Sequence, residues 1–306
     1  MHTKALLHVL AAATIATAQR PANTSICDFY TTALLVENNA TNQETLVTLL
    51  VNTAVIGNYT KPNANLTVPG ILAQGQSYNK TSVNLLPYFD GALASTNRGG
   101  ELGVSINFLD DGGATPLTLN KPSNTTTSNQ YKLLTHLYGY FGILLGCSHL
   151  GQTGYPAYSG DTSMYDVHKF MALDAYQVGW FIEQVGLSAK SFGVADADVE
   201  YVGTALQTLF GQKCAAKLDI VPGAADELQA ICIAEDCPTA ANATCSAYAA
   251  VVTPKHVNGS ITVSGTATAS STATSTSTSK SAGSLTRNVC GSLLLLFALG
   301  TVRWLW

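Results

Sequence analysis

Between Ile26 and Cys245, apolar residues recur at intervals of three and four, the spacing of one helix face, and strand-like alternation is scarce. Over residues 43–58 the positions Leu46, Leu50 and Thr53, flanked by Val47, Val51 and Ala54, lay an apolar stripe along one side. Leu133, Leu137, Tyr140, Phe141 and Leu144 do the same over residues 131–145, where the remaining faces are almost as apolar, so this helix is expected at the centre of the core. Two further amphipathic helices are expected over 175–185 and 198–210, separated by 186–196 with a turn at Phe192-Gly193-Val194. Residues 60–129 break the pattern: Pro62, Pro69, Pro87, Pro116, Pro122 and the pairs Gly99-Gly100 and Gly112-Gly113 predict a long irregular insertion. An all-α fold is the expectation.

The chain ends carry sorting patterns. Lys4, the apolar run 5–13 and the small residues Ala16-Thr17-Ala18 form a secretory signal over residues 1–18, which places the mature start at Gln19. At the other end, 289–306 is an apolar run broken only by Arg303. It is preceded by the small triplet Ser281-Ala282-Gly283 and a short polar spacer. That order marks a propeptide, 284–306, exchanged for a glycosylphosphatidylinositol anchor, and the alternative is a single membrane-spanning helix. Residues 251–286 read as a Ser/Thr-rich stalk, with 17 Ser/Thr among the 27 residues from Ser260 to Thr286. Eight Asn-x-Ser/Thr sequons, at Asn23, Asn39, Asn58, Asn65, Asn79, Asn124, Asn242 and Asn258, agree with a secretory route. The expected location is the cell surface, with the anchor in the plasma membrane or wall, as on fungi and similar walled cells.

Composition narrows the picture further. The 306 residues are 46% hydrophobic and 11% charged, enough for one or two domains with a real core. Net charge is −4 and no basic cluster interrupts the middle of the chain, which argues against nucleic acid as a partner. Cys290 falls in the propeptide, leaving six cysteines for three disulfides in any of 15 pairings. Because Cys232, Cys237 and Cys245 cannot all pair among themselves, at least one must reach the helical body and staple the extension 215–250 to it.

Candidate chemistry is sparse. No nucleophile elbow, zinc-protease helix or phosphate loop is present, and Asp110-Asp111-Gly112-Gly113 reads as a turn. His168, four residues after Met164 and three before Met171, sits on a soft apolar face. There it serves either as a metal ligand or as a core histidine bonded to backbone. His136 shares a stripe with Leu133 and Tyr140, with a buried histidine satisfied by a neighbouring hydroxyl as the alternative. Phe141, Trp180 and Phe181 are bulky enough to wall a flat ligand, or are plain core.

The order Leu86-Pro87-Tyr88-Phe89, a helix ending Tyr140-Phe141 through Leu145-Gly146, then Tyr158-Ser159-Gly160 and Met164-x-x-x-His168-Lys169, resembles the group I truncated haemoglobins. The likeness spans roughly Cys27 to Cys214. The tyrosine-to-histidine spacing is one residue longer than that pattern, Cys147 replaces its second glycine, and residues 91–129 stand where a short connection is usual. The resemblance implies a two-over-two helical sandwich, a globin-like domain over 19–250, and a haem b cofactor. It implies His168 as proximal iron ligand, His136 as a candidate second axial ligand, and Met164, Phe141, Trp180 and Phe181 as pocket walls. It puts Leu133 and Leu137 where a distal glutamine is common and Asn52 near a distal tyrosine. The functional expectation is a cell-surface haem protein that binds a diatomic gas or haem itself, and the alternative is a cofactor-free anchored module of wall or adhesion type.

Overall fold

The computed structural model describes residues 19–60 and 66–257, so the segments read as secretory signal and anchor propeptide, part of the expected stalk, and the sequons Asn65 and Asn258 lie outside the described residues. Seven α-helices occur among those described: α1 (Ile26–Leu35), α2 (Ala40–Ile56), α3 (Ala114–Leu117), α4 (Asn129–Leu144), α5 (Met164–His168), α6 (Ala175–Ser191) and α7 (Asp196–Phe210). Four strands accompany them: β1 (Gln76–Tyr78), β2 (Thr81–Val83), β3 (Thr96–Gly99) and β4 (Leu102–Val104).

The strands correct the expectation of an all-α, globin-like fold: the chain combines helices with two small antiparallel two-stranded sheets, β1–β2 and β3–β4. Both sheets lie in the segment read as irregular. The first closes through Asn79-Lys80, whose φ values of 47° and 67° are the left-handed conformations that a two-residue hairpin demands at both central positions. Strands of three or four residues are too short to show alternation, which is why periodicity could not reveal them. Sheet β1–β2 packs on α6, and β3 packs on α5 and the turn after it.

Helix ends follow local chemistry. Ser25, Asn39, Ser128, Ser163 and Asp174 each accept an N-terminal amide of α1, α2, α4, α5 and α6. Asp174 and Gln177 form a reciprocal capping box. Asp110 supports the start of α4 from outside, accepting the amides of Asn129 and Gln130, so the acidic turn is a structural brace. Helix α6 runs through Gly186 to Ser191, beyond the expected end at 185, because tertiary packing offsets the cost of a mid-helix glycine. Ser188 donates to the Leu50 carbonyl of α2 at 2.7 Å, tying that last turn down.

Helix α2 is the hub, packing on α1, α4 and α6, while α6 and α7 form a helical hairpin. Three disulfides complete the frame: Cys27–Cys147, Cys214–Cys245 and Cys232–Cys237. The first joins α1 to the end of α4. The second staples the extension to Cys214, four residues past the end of α7, as the cysteine count required.

A partly buried ion pair anchors the N-terminal arm. Arg20 donates from Nε and Nη2 to Asp198 Oδ1, both at 2.9 Å, and Tyr30 donates its hydroxyl to Asp198 Oδ2 at 2.8 Å. Burial, more than the neighbouring carboxylate, pushes the Tyr30 phenol up to about 12, so it stays a donor at neutral pH. Removing one partner of such a pair leaves an uncompensated charge. Arg20→Ala is therefore expected to cost about 3 kcal/mol, measurable by denaturant unfolding, and a loss below about 1 kcal/mol would show the clasp to be dispensable.

Candidate functional site

A cavity of about 160 Å³ lies between α2, α4, α6 and α7. On α4 its wall runs from Leu133 to Leu145 and on α6 from Gln177 to Ala189, each a span of about 18 Å at the helical rise. So little volume along so long a wall makes a thin slot, suited to a flat or slender guest. The lining is overwhelmingly hydrocarbon: Leu46, Leu50, Val51, Ala54 and Val55 from α2, and Val199, Val202 and Phe210 from α7.

Among the residues singled out from sequence, His168, Met164, Phe141 and Phe181 line this slot together, with Leu133 and Leu137. Phe141 and Phe181 meet edge to face across it, ring centroids 6.5 Å apart. Trp180 is buried in the core but does not line the slot. Nor does His136, whose ring packs beside Tyr158 at 6.0 Å. The physical reason is angular: one residue round α4 from Leu137 is about 100°, which carries His136 off the slot-facing arc. Asn52 also turns away, accepting the Tyr138 hydroxyl at 2.6 Å and donating to the Leu117 carbonyl at 3.2 Å.

His168 ends α5, and its Nδ1 sits 2.7 Å from the Met164 carbonyl oxygen, one turn back. A carbonyl only accepts, so Nδ1 carries the proton and Nε2 keeps its lone pair. Nε2 has no hydrogen-bond partner among the described residues. Burial lowers the His168 pKa below the usual histidine value, outweighing that hydrogen bond, so the ring is neutral at pH 7. A neutral imidazole with one nitrogen tied to backbone is the form that ligates metals.

The extension holds this segment in place, a role the sequence pattern did not reveal. Tyr165 N–H and Ser163 Oγ donate to the Leu228 carbonyl at 3.1 and 3.0 Å, and Gln229 donates to the Thr162 carbonyl at 2.9 Å. Ile231 enters the slot wall, and Cys232 and Cys237 close a loop around Leu173, whose carbonyl accepts from Ile233 and Ala234. The signal available was only the crowding of cysteines after Cys214.

His136 is half-buried, and burial, then the positive Arg98 and Lys132, lowers its pKa. A depressed folded-state pKa means that the unfolded chain takes up the proton first. Stability is therefore present above pH 6.5 and lost as pH falls below it towards the folded value. The drop in unfolding midpoint on acidification from pH 7 should be smaller in His136→Gln, and an equal drop would sever the link to this residue.

No group of three or more metal-binding side chains occurs among the described residues, and no helix there is long and apolar enough to cross a membrane. Comparison of the chain with protein-family profiles, curated proteins and solved structures finds no match.

Proposed function

We propose that this is a secreted, lipid-anchored protein that binds haem b in the apolar slot with His168 as an axial ligand. The observation that carries the reading is the geometry of His168, whose backbone-bonded ring leaves one lone pair at the wall of a largely hydrocarbon cavity. Such a site suits an apolar body with a single Lewis-acidic centre, which is the chemistry of an iron porphyrin. Bound there, the iron would supply a coordination position for a diatomic gas. The chain's own part is to hold Nε2 in place, exclude water and press Phe141 and Phe181 on a flat guest. Seating a macrocycle spreads a slot this thin, and Met164 and Met171 are walls able to yield.

Secretion is supported by the three disulfides, which suit an oxidising compartment. It is supported as well by the sequons Asn23, Asn58, Asn79, Asn124 and Asn242, all exposed. The slot volume of about 160 Å³ favours a second guest, a slender apolar molecule such as an acyl chain whose hydroxyl or protonated carboxyl donates to Nε2. Titrating the secreted domain with haemin separates the two: a saturable Soret band at one haem per chain is expected, and its absence leaves the slender guest.

A further inference from the structure

Of the polar side chains that reach the slot wall, Tyr30, Tyr140 and Asp198 are spent. The Tyr30 hydroxyl donates to Asp198 and accepts the Ala195 N–H at 2.9 Å, Asp198 is held by Arg20, and Tyr140 donates its hydroxyl to Gln229 Oε1 at 2.9 Å. His168 and Gln177 keep capacity. The Met164 carbonyl ties up Nδ1 of His168 and leaves the lone pair of Nε2 as an acceptor. Gln177 accepts the Asp174 N–H at 3.1 Å and points one amide hydrogen at the Tyr88 hydroxyl, 3.4 Å away, so its second N–H has no partner among the described residues. Met164, His168, Met171, Leu173 and Gln177 follow one another along the chain as one stretch of the wall, which therefore presents an open acceptor and an open donor.

That pair selects a head group. A hydroxyl answers both, giving its proton to Nε2 and accepting the amide N–H at its oxygen, and it brings no charge into the slot. A carboxylate can accept the N–H, but it sets its charge against the His168 lone pair, and no lysine or arginine among the described residues lines the slot to offset its lost hydration. The volume selects a tail. A cavity of about 150 Å³ lined by leucine, isoleucine and phenylalanine takes a guest the size of benzene. A slot of about 160 Å³ drawn out along its helices therefore suits a single aliphatic chain of about six to ten carbons.

Resting on the slender-guest reading of the slot and not on haem, we propose that the guest is a medium-chain aliphatic alcohol, held by His168 Nε2 as acceptor and the Gln177 amide as donor.

Met164 and Met171 are the methionines that follow Met1, and both line the slot, so their methyl signals report its occupancy. The test is an NMR titration at pH 7 of the secreted protein, methyl-labelled at methionine and free of haem, with 1-octanol, its isomer methyl heptyl ether, octanoate and 1-dodecanol. Octanol should bind about tenfold tighter than the ether, which fills the same space without a proton to give, and tighter than octanoate. Affinity should not rise further at dodecanol. His168→Phe keeps a flat ring without the lone pair and should bring octanol down to the ether's level. Gln177→Met, of similar length, removes a donor that both guests use, and should weaken both about fivefold while preserving their ratio. Ether binding that survives in a variant reports an intact slot. Equal binding of octanol and ether by wild type overturns the head-group assignment and leaves the slender guest standing. An octanol preference that survives His168→Phe, an unchanged octanol affinity in Gln177→Met, tighter binding of octanoate, or affinity still rising at dodecanol each overturns the proposal as well. Methyl signals that respond to none of the four compounds remove the slender-guest reading itself.

Discussion

His168→Ala should lose haem retention: after incubation with haemin and gel filtration, the wild type is expected to keep its Soret band and the variant to elute without one. On the proposed reading, coordination by His168 would be the main directional contact, since the hydroxyls of Tyr30 and Tyr140 are engaged elsewhere. Apolar burial alone holds a porphyrin without fixing its position or depth. The Met164 carbonyl keeps Nδ1 protonated and so directs Nε2 outward, which means that asparagine or glutamine at 168 should not substitute. His168→Gly supplied with free imidazole should recover the band, because the vacated space takes the missing ring. His136→Ala should retain haem with an unchanged spectrum, since its ring lies outside the slot beside Tyr158. An unaltered Soret band in His168→Ala would refute the ligand assignment while leaving haem binding intact.

Removing the Cys27–Cys147 disulfide, as the double alanine variant, is expected to cause the largest stability loss of the three. The bond spans 120 residues, whereas Cys232–Cys237 spans 5. Chain-entropy arithmetic gives about 5 kcal/mol for the long loop and about 2 kcal/mol for the short one. For a domain of this size the first corresponds to roughly 10–20 °C in Tm. Cys27 is also fully buried and lines the slot, so its loss disturbs packing at that end of the cavity. Paired thermal melts of the two variants decide the matter. A smaller loss for Cys27/Cys147 than for Cys232/Cys237 would mean that native packing at α1, not the loop, governs that end of the molecule.

The four long helices were legible in the sequence because each writes its buried face into spacings of three and four: Leu46 and Leu50 in α2, Leu133 and Leu137 in α4. The spacing of His168 from Met164 and Met171 likewise placed it on a soft face. Local geometry alone sets such features. The strands escaped because a three-residue run such as Gln76–Tyr78 carries too few positions for a period, and its hairpin was marked only by Asn79-Lys80.

Other features depended on which surfaces meet. His136 and Leu137 are neighbours in sequence, yet packing turned Leu137 to the slot and left His136 at Tyr158, a choice that an α4 apolar on almost every face does not record. Asn52 reads as free to face a ligand until Tyr138 and Leu117 claim its amide. The hydroxyls of the two slot tyrosines donate to partners 89 residues away for Tyr140 and 168 for Tyr30, distances at which no local pattern reports a hydrogen bond. Helix periodicity is a property of neighbouring residues and is written in the chain, whereas the satisfaction of a polar group is settled only when remote segments close around it.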